Sequence, residues 1–381
     1  MCKISTIRRI INNGGDILKK FVLFISLTFP FHIGFSQSNF NSLDSPVDAR
    51  SISMGESFVA LSNSSSGSFY NPATLDGTRG VTSSFNKRYL DWTNWANHIY
   101  YVAWNGVINT PYGTIGLFYN RLNYGEMTIA SDGYTEEIGK ARIYNHTYGI
   151  SYSKEILSHF QAGITLKTYN DVIDYTVRPS WLTTSFKTSQ PYLFDVGMTY
   201  RDLAFFSSKN IADEISLGVV LQNFGTDYRV NDEYMRIPHY ARVGFAYTFN
   251  LMGESEDKLQ PFRFALTGEY CNHLNQWKTA KAYRDYWKAG MEATFFDIVS
   301  IRMGGDARPY TSIYGERGLP SFRYGFGLNV PLHSMGITTP IVISFDFAAV
   351  PLNDLGWWPG SITKRTLTAF SLELKYSKDL F

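Results

Sequence analysis

From about residue 80 to the C-terminus the chain alternates apolar and polar side chains with a period of two, the pattern of strands that are wet on one face only. Ile215, Leu217, Val219 and Leu221 interleave with Ser216, Gly218 and Gln222, and Phe322, Tyr324, Phe326 and Leu328 with Arg323, Gly325 and Gly327. Ala241, Val243, Phe245 and Tyr247, and later Phe370, Leu372 and Leu374, repeat the arrangement. Read this way, the sequence predicts about fourteen strands, each roughly ten residues long. They fall at 81–89, 98–104, 113–119, 145–153, 159–169, 191–200, 215–223, 239–249, 262–270, 285–295, 298–306, 322–330, 339–347 and 368–376. The expected fold class is an all-β transmembrane β-barrel of antiparallel strands, with the apolar set facing lipid and glycines recurring on the inner face.

The connections agree, because outer-membrane barrels alternate short periplasmic turns with long extracellular loops. Long links follow the third (120–144), fifth (170–190), seventh (224–238), ninth (271–284), eleventh (307–321) and thirteenth (348–367) strands, and short ones follow the second, fourth, tenth and twelfth. The link at 201–214 has room for a helical turn. An even strand number places both ends of the barrel on the periplasmic side. The terminal Phe381 falls out of phase with Tyr376, so a few residues overhang the last strand.

Ahead of the strands, residues 49–73 break the pattern with small residues, one apolar set (Ile52, Met54, Phe58, Leu61) and a run of serines. This stretch is either an arm on the barrel mouth or a plug in the lumen. The strand count leaves it no place in the wall, and the expectation is an N-terminal hatch at 37–79, inside a barrel at 80–381. Asn71 can cap a short helical turn with Pro72 at its first position, where a missing N–H costs nothing; Gly77 offers the stop. Residues 1–36 read as a signal peptide: Lys19 and Lys20 precede the apolar run 21–35, and Gly34 and Ser36 stand before a cleavage point after Ser36. The localisation that follows is the outer membrane.

Composition sharpens the choice. Aromatic residues make up 16% of the chain, with 26 Tyr and 28 Phe, while mean hydropathy is slightly negative; a barrel with aromatic girdles and a polar interior has this profile, and a soluble β-sandwich is the competing reading. A net charge of +2 without a basic patch excludes nucleic acid as an expected partner. Once the leader is removed Cys271 stands alone, which rules out an internal disulfide, and no Cys/His cluster has the spacing of a metal site. The seven His show no HExxH spacing, no phosphate loop opens a helix, and no GxSxG elbow occurs. The expectation is a protein that is not an enzyme, without metal or cofactor.

The strand phases send a set of charges into the lumen: Lys167, Asp195, Arg242, Arg263, Glu269, Lys288, Glu292, Arg302, Arg323 and Asp346, joined by Glu373 and Lys375. Mixed signs at this density read first as a paired interior network and second as a solute path. Trp92, Trp95 and Trp277 fit an interface girdle, whereas Trp181 and the Trp357-Trp358 pair in the outer loops are candidate partner anchors.

The opening AR-x-x-x-MG-x-x-x-VA, carried by Ala49, Arg50, Met54, Gly55, Val59 and Ala60 and followed by Asn71-Pro72-Ala73, resembles the N-terminal signature of FadL-type outer-membrane barrels. It is most similar to their PorV/PorQ branch, as is the segment 122–169. Ser62-Asn63-Ser64 replaces the acidic position usual after VA in that branch. The resemblance implies a fourteen-stranded barrel with a lumenal hatch and a role in the type IX secretion system, with secreted cargo and other secretion subunits as partners. The alternative that the same superfamily implies is a FadL-like channel admitting hydrophobic small molecules.

Overall fold

The computed structural model describes residues 42–43, 45–90, 99–130, 137–177, 189–202, 207–208, 211–230, 233–235, 237–251, 259–274, 285–307, 321–337, 339–355 and 362–376. Fourteen strands form the wall, each pairing antiparallel with its neighbours in sequence. They are β1 (Val81–Tyr89), β2 (Tyr100–Thr110), β3 (Gly113–Ala130), β4 (Glu137–Leu157), β5 (Phe160–Val177), β6 (Tyr192–Arg201) and β7 (Ile211–Gly225). The second half comprises β8 (Tyr240–Leu251), β9 (Phe262–His273), β10 (Tyr286–Phe295), β11 (Val299–Ala307), β12 (Ser321–Pro331), β13 (Ile341–Leu355) and β14 (Ile362–Tyr376). β14 returns to β1 in register from Val81↔Tyr376 to Tyr89↔Thr368, so the sheet closes on itself and has no free edge.

The wall wears its apolar residues outside and its charges inside. On β6, Tyr192, Phe194, Val196 and Met198 are exposed, while Leu193, Asp195 and Thr199 between them are buried. Around the ring Leu166, Val243, Ile301, Phe326 and Phe370 are exposed, whereas Arg242, Glu269, Lys288 and Arg302 are buried. A sandwich in water would expose the second set and bury the first; this inversion is stable only with lipid around the ring.

Three connections differ from expectation. The long links at 120–144 and 348–367 are largely strand: β3 and β4 stay paired above Asn123, from Glu126↔Arg142 to Ala130↔Glu137, and β13 and β14 pair from Ile341↔Tyr376 up to Leu355↔Ile362. A zipped hairpin satisfies its backbone N–H and C=O groups above the bilayer, but on β3–β4 the described outward side chains there are charged, so the apolar alternation that marks a membrane strand stops short of its end. Glu126 bridges Lys140 (2.6 Å) and Arg142 (3.0 Å) in this region. In the 201–214 link, Ser207–Ser208 pairs with Ile211 and Ala212 as a short strand in place of the helical turn.

At one seam the ladder is broken and repaired. Two residues of β7, Gln222 and Asn223, lie opposite Asp195 alone on β6, and Asn223 takes φ 65° to make the bulge. The Asp195 carboxylate fills the gap, accepting from Asn223 N (2.7 Å) with Oδ1 and from Lys167 Nζ (2.6 Å) with Oδ2.

Candidate functional site

Residues 45–79 lie inside the ring, and their fold follows from short local signals. Asp48 caps the helix α1 (Ala49–Ser53), its Oδ1 accepting from Ser51 N at 2.6 Å. Gly55 then turns the chain at φ 67° and Glu56 continues it at φ 63°. A second one-turn helix, α2 (Gly67–Tyr70), ends at Asn71. Asn71 Oδ1 accepts from Ala73 N (3.1 Å) to open the 3₁₀ turn Pro72–Gly77, and its Nδ2 donates to Val59 O (2.7 Å), tying the two ends of the segment together. Ile52, Met54, Phe58, Val59, Tyr70 and Ala73 are each at most 1% exposed. The stretch is therefore a hatch whose own apolar core fills the lumen. Replacing Asn71 by Ala removes both bonds at a fully buried site, with an expected loss of about 1–2 kcal/mol; a lowered midpoint of heat-induced gel mobility shift checks it.

The hatch backbone rests directly on wall glycines. A Cβ on Gly290 or Gly304 would overlap the Met54 carbonyl group, one on Gly218 the Val59 carbonyl, and one on Gly163 would stand 2.5 Å from Ala73 N. These glycines come from β5, β7, β10 and β11, so the seat spans about half of the ring. Gly55 in turn lies against Gly305 and Ala289, whose backbone atoms would stand only 2.5–2.6 Å from any Cβ, and it also needs its left-handed φ.

Charge completes the attachment. One chain of ion pairs runs Asp346–Arg302 (2.6 Å), Arg302–Glu292 (2.5 Å) and Glu292–Arg50 (2.8 Å). The other runs Arg242–Glu269 (2.6 Å), Glu269–Lys288 (3.6 Å), Lys288–Glu56 (3.5 Å), Glu56–Arg323 and Arg323–Asp306 (2.8 Å). The wall's members of the first chain, two carboxylates and one guanidinium, carry one net negative charge, and those of the second carry one net positive charge. Arg50 and Glu56 of the hatch are the missing counter-charges. Buried charges of this kind persist only when compensated, so the wall is electrostatically incomplete without its hatch. Glu269 does a second job, its Oε2 accepting from Phe58 N (3.1 Å) and Val59 N (3.3 Å). Gln222 links the same pair to the hatch, accepting from Arg242 and donating to Phe69 O (2.8 Å).

Of the residues singled out from sequence, Arg50, Arg242, Glu269, Lys288, Glu292, Arg302, Arg323 and Asp346 meet in these two chains, and Met54, Gly55, Asn71, Pro72 and Ala73 form the hatch turns. Lys167 and Asp195 pair separately at the β6–β7 bulge. Arg263 departs from the expected network: it lies half exposed at the periplasmic end of β9, 3.4 Å from Asp297. It is too near the strand end to reach the interior. Glu373 accepts from Ser65 Oγ at 2.7 Å. Trp181, Trp357 and Trp358, with Trp92, Trp95 and Trp277, fall outside the described residues, as does the signal peptide. Glu56 and Asp306 were missed; Glu56 is recognisable in retrospect as a lone acid between apolar and small residues.

A polar cavity of about 930 Å3 opens on the periplasmic side, between the hatch and the lower wall. Its mouth carries Arg263, Asp297 and Lys375, and its inner end reaches Asp48 and Asn86. Beside it Asp76 stands 3.6 Å from Arg201, and burial raises its carboxyl above the ordinary value against the pull of that guanidinium. Among the described residues no group of His, Cys, Asp and Glu is arranged to hold a metal.

No family model matches the sequence, and no curated protein does. Solved structures similar to the chain include the toluene transporter TbuX of Ralstonia pickettii (TM-score 0.47, 9% identity, covering 86% of this chain and 98% of that one). A FadL homologue of Pseudomonas aeruginosa gives 0.48 at 10% identity, over 90% and 99%. The toluene transporter TodX of Pseudomonas putida gives 0.46 at 9% identity, over 92% and 100%.

Proposed function

We propose that this chain is an outer-membrane barrel in which the hatch is a fixed structural seal, and that it serves protein export, binding secreted cargo or other subunits of a type IX system at its extracellular end. The observation that carries the reading is the attachment of the hatch: glycine seats on the wall and two ion-pair chains, each neutral only with a hatch residue in it. A plug held this way suits a barrel that works through its rim and loops. The hatch signature and the 122–169 segment, which resemble the PorV/PorQ branch, point to secretion. Deleting the gene and measuring the secreted and surface-displayed proteome tests it; cargo display at wild-type levels refutes it.

A second reading is a FadL-like channel for hydrophobic small molecules. What favours it is the apolar cluster shared by hatch and wall, where Phe69 meets Phe118 edge-on at 6.4 Å beside Tyr70, Tyr101 and Leu122, above a cavity open to the periplasm. Passage would require the hatch to leave its seats. Uptake of a labelled monoaromatic hydrocarbon by cells with and without the gene separates the two: a difference supports the channel, and equal uptake together with lost cargo display supports export.

A further inference from the structure

Among the described residues, the outer face of β1–β4 carries cations at a level where β6, β10, β11 and β12 carry none. Cross-strand register places Lys87, Val102, Arg121 and His146 in one transverse row. The row below it is Phe85, Trp104, Tyr119 and Tyr148, and the row above is Tyr89, Tyr100, Asn123 and Tyr144. The cations thus lie between two aromatic bands, at the level where a headgroup meets acyl chains. Below the lower band come Leu117 and Ile150, both lipid-exposed. Among the described residues, the outward positions near the upper ends of β6, β10, β11 and β12 carry Tyr192, Trp287, Met303 and Phe322 instead.

Both cations are held in place. Lys87 Nζ stands 4.8 Å from the Tyr89 ring and 5.3 Å from the Tyr100 ring, and the Arg121 guanidinium lies 3.9 Å from the centre of the Tyr144 ring. Arg121 Nε is shielded from solvent and has no hydrogen-bond acceptor. No described carboxylate lies within ion-pair distance of either cation, in contrast to Lys140 and Arg142 higher on the same face, which both pair with Glu126. Two strand spacings separate Lys87 from Arg121, about 10 Å. A desolvated guanidinium edge and an ammonium at that separation, bracketed by aromatic rings, ask for an anion with several oxygens whose tails lie along Leu117 and Ile150.

We propose that this face is a binding site for a phosphorylated lipid of the outer leaflet, with Arg121 and Lys87 taking phosphate oxygens and the two aromatic bands bracketing the headgroup. The site is independent of the lumen and of the export reading. With the barrel in a neutral detergent, native mass spectrometry against lipid A, a bis-phosphorylated glycolipid, and against zwitterionic phosphatidylcholine tests it. Wild type is expected to retain lipid A in preference to phosphatidylcholine. The double variant Lys87→Gln/Arg121→Gln should bind lipid A roughly thirtyfold more weakly, from the loss of two cations near the membrane surface. Lys140→Gln, which removes an ammonium held by Glu126 above the aromatic bands, should bind as wild type does. Should the double variant fail to fold, Lys87→Gln alone is expected to show roughly a fivefold loss. Equal retention of the two lipids by wild type, or undiminished lipid A binding by a folded Lys87 variant, overturns the proposal.

Discussion

Replacing Gly290 by valine is expected to abolish the assembled barrel. The new Cβ would fall on the Met54 carbonyl, backbone that cannot retreat because Gly304 and Gly305 close on Met54 and Gly55 from the next strand. Ordinary overpacking of a core costs about 1–3 kcal/mol and is relieved by side-chain rotation. Here only backbone movement relieves it, and the same step pulls Arg50 and Glu56 off their partners. The measurement is heat-modifiable gel mobility of outer-membrane fractions: the compact band should vanish. A compact band at wild-type abundance would mean that the hatch does not depend on this seat. Asparagine at Gly336, where nothing lies within 4 Å of a Cβ and the φ of 86° is one that Asn tolerates, is the control.

The second large effect belongs to Glu269. Changing it to alanine strands Arg242, leaves Lys288 with Glu56 alone and removes the acceptor of two hatch N–H groups. Breaking a buried pair by removing one partner costs about 3–5 kcal/mol, mostly through the uncompensated charge that remains. The unfolding midpoint in guanidinium should drop accordingly. Removing the charges together, as Glu269→Gln with Arg242→Gln, should recover part of the loss, since two amides can bond one another. If the double variant were no more stable than Glu269→Ala, the cost would lie in the hatch N–H bonds and not in the stranded guanidinium.

The wall was readable in the sequence because lipid imposes a strict rule on alternate residues. All fourteen expected segments correspond to strands, β1 at the same limits and most of the others extending further at one or both ends. The extensions were hidden for a physical reason. Above the bilayer the outward residues Arg142 and Lys140 no longer need to be apolar, and pairing persists without the signal that reports it. The interior charges were readable as a set, since phase alone sends Arg242 or Glu292 inward. Their partners were not, because pairing depends on register between strands far apart in sequence. Glu292 of β10 meets Arg50 from 242 positions away in the sequence, a juxtaposition that no local pattern encodes. The caps were legible at Asn71-Pro72 and hidden at Asp48, where nothing marked α1 as a helix. Arg263 was misplaced because phase gives the face but not the depth.

The glycine seats bear on how the molecule is made. A segment whose main chain is pressed against four strands of the wall cannot be threaded through a finished ring, since main chain, unlike a side chain, cannot fold out of the way. The hatch must already be in position when β14 zips onto β1. On this argument the hatch is a mandrel around which the sheet is rolled, with the seam from Val81↔Tyr376 to Tyr89↔Thr368 closing the ring. The order of assembly is then written into the wall, and the arm that leads the chain becomes the template for everything that follows.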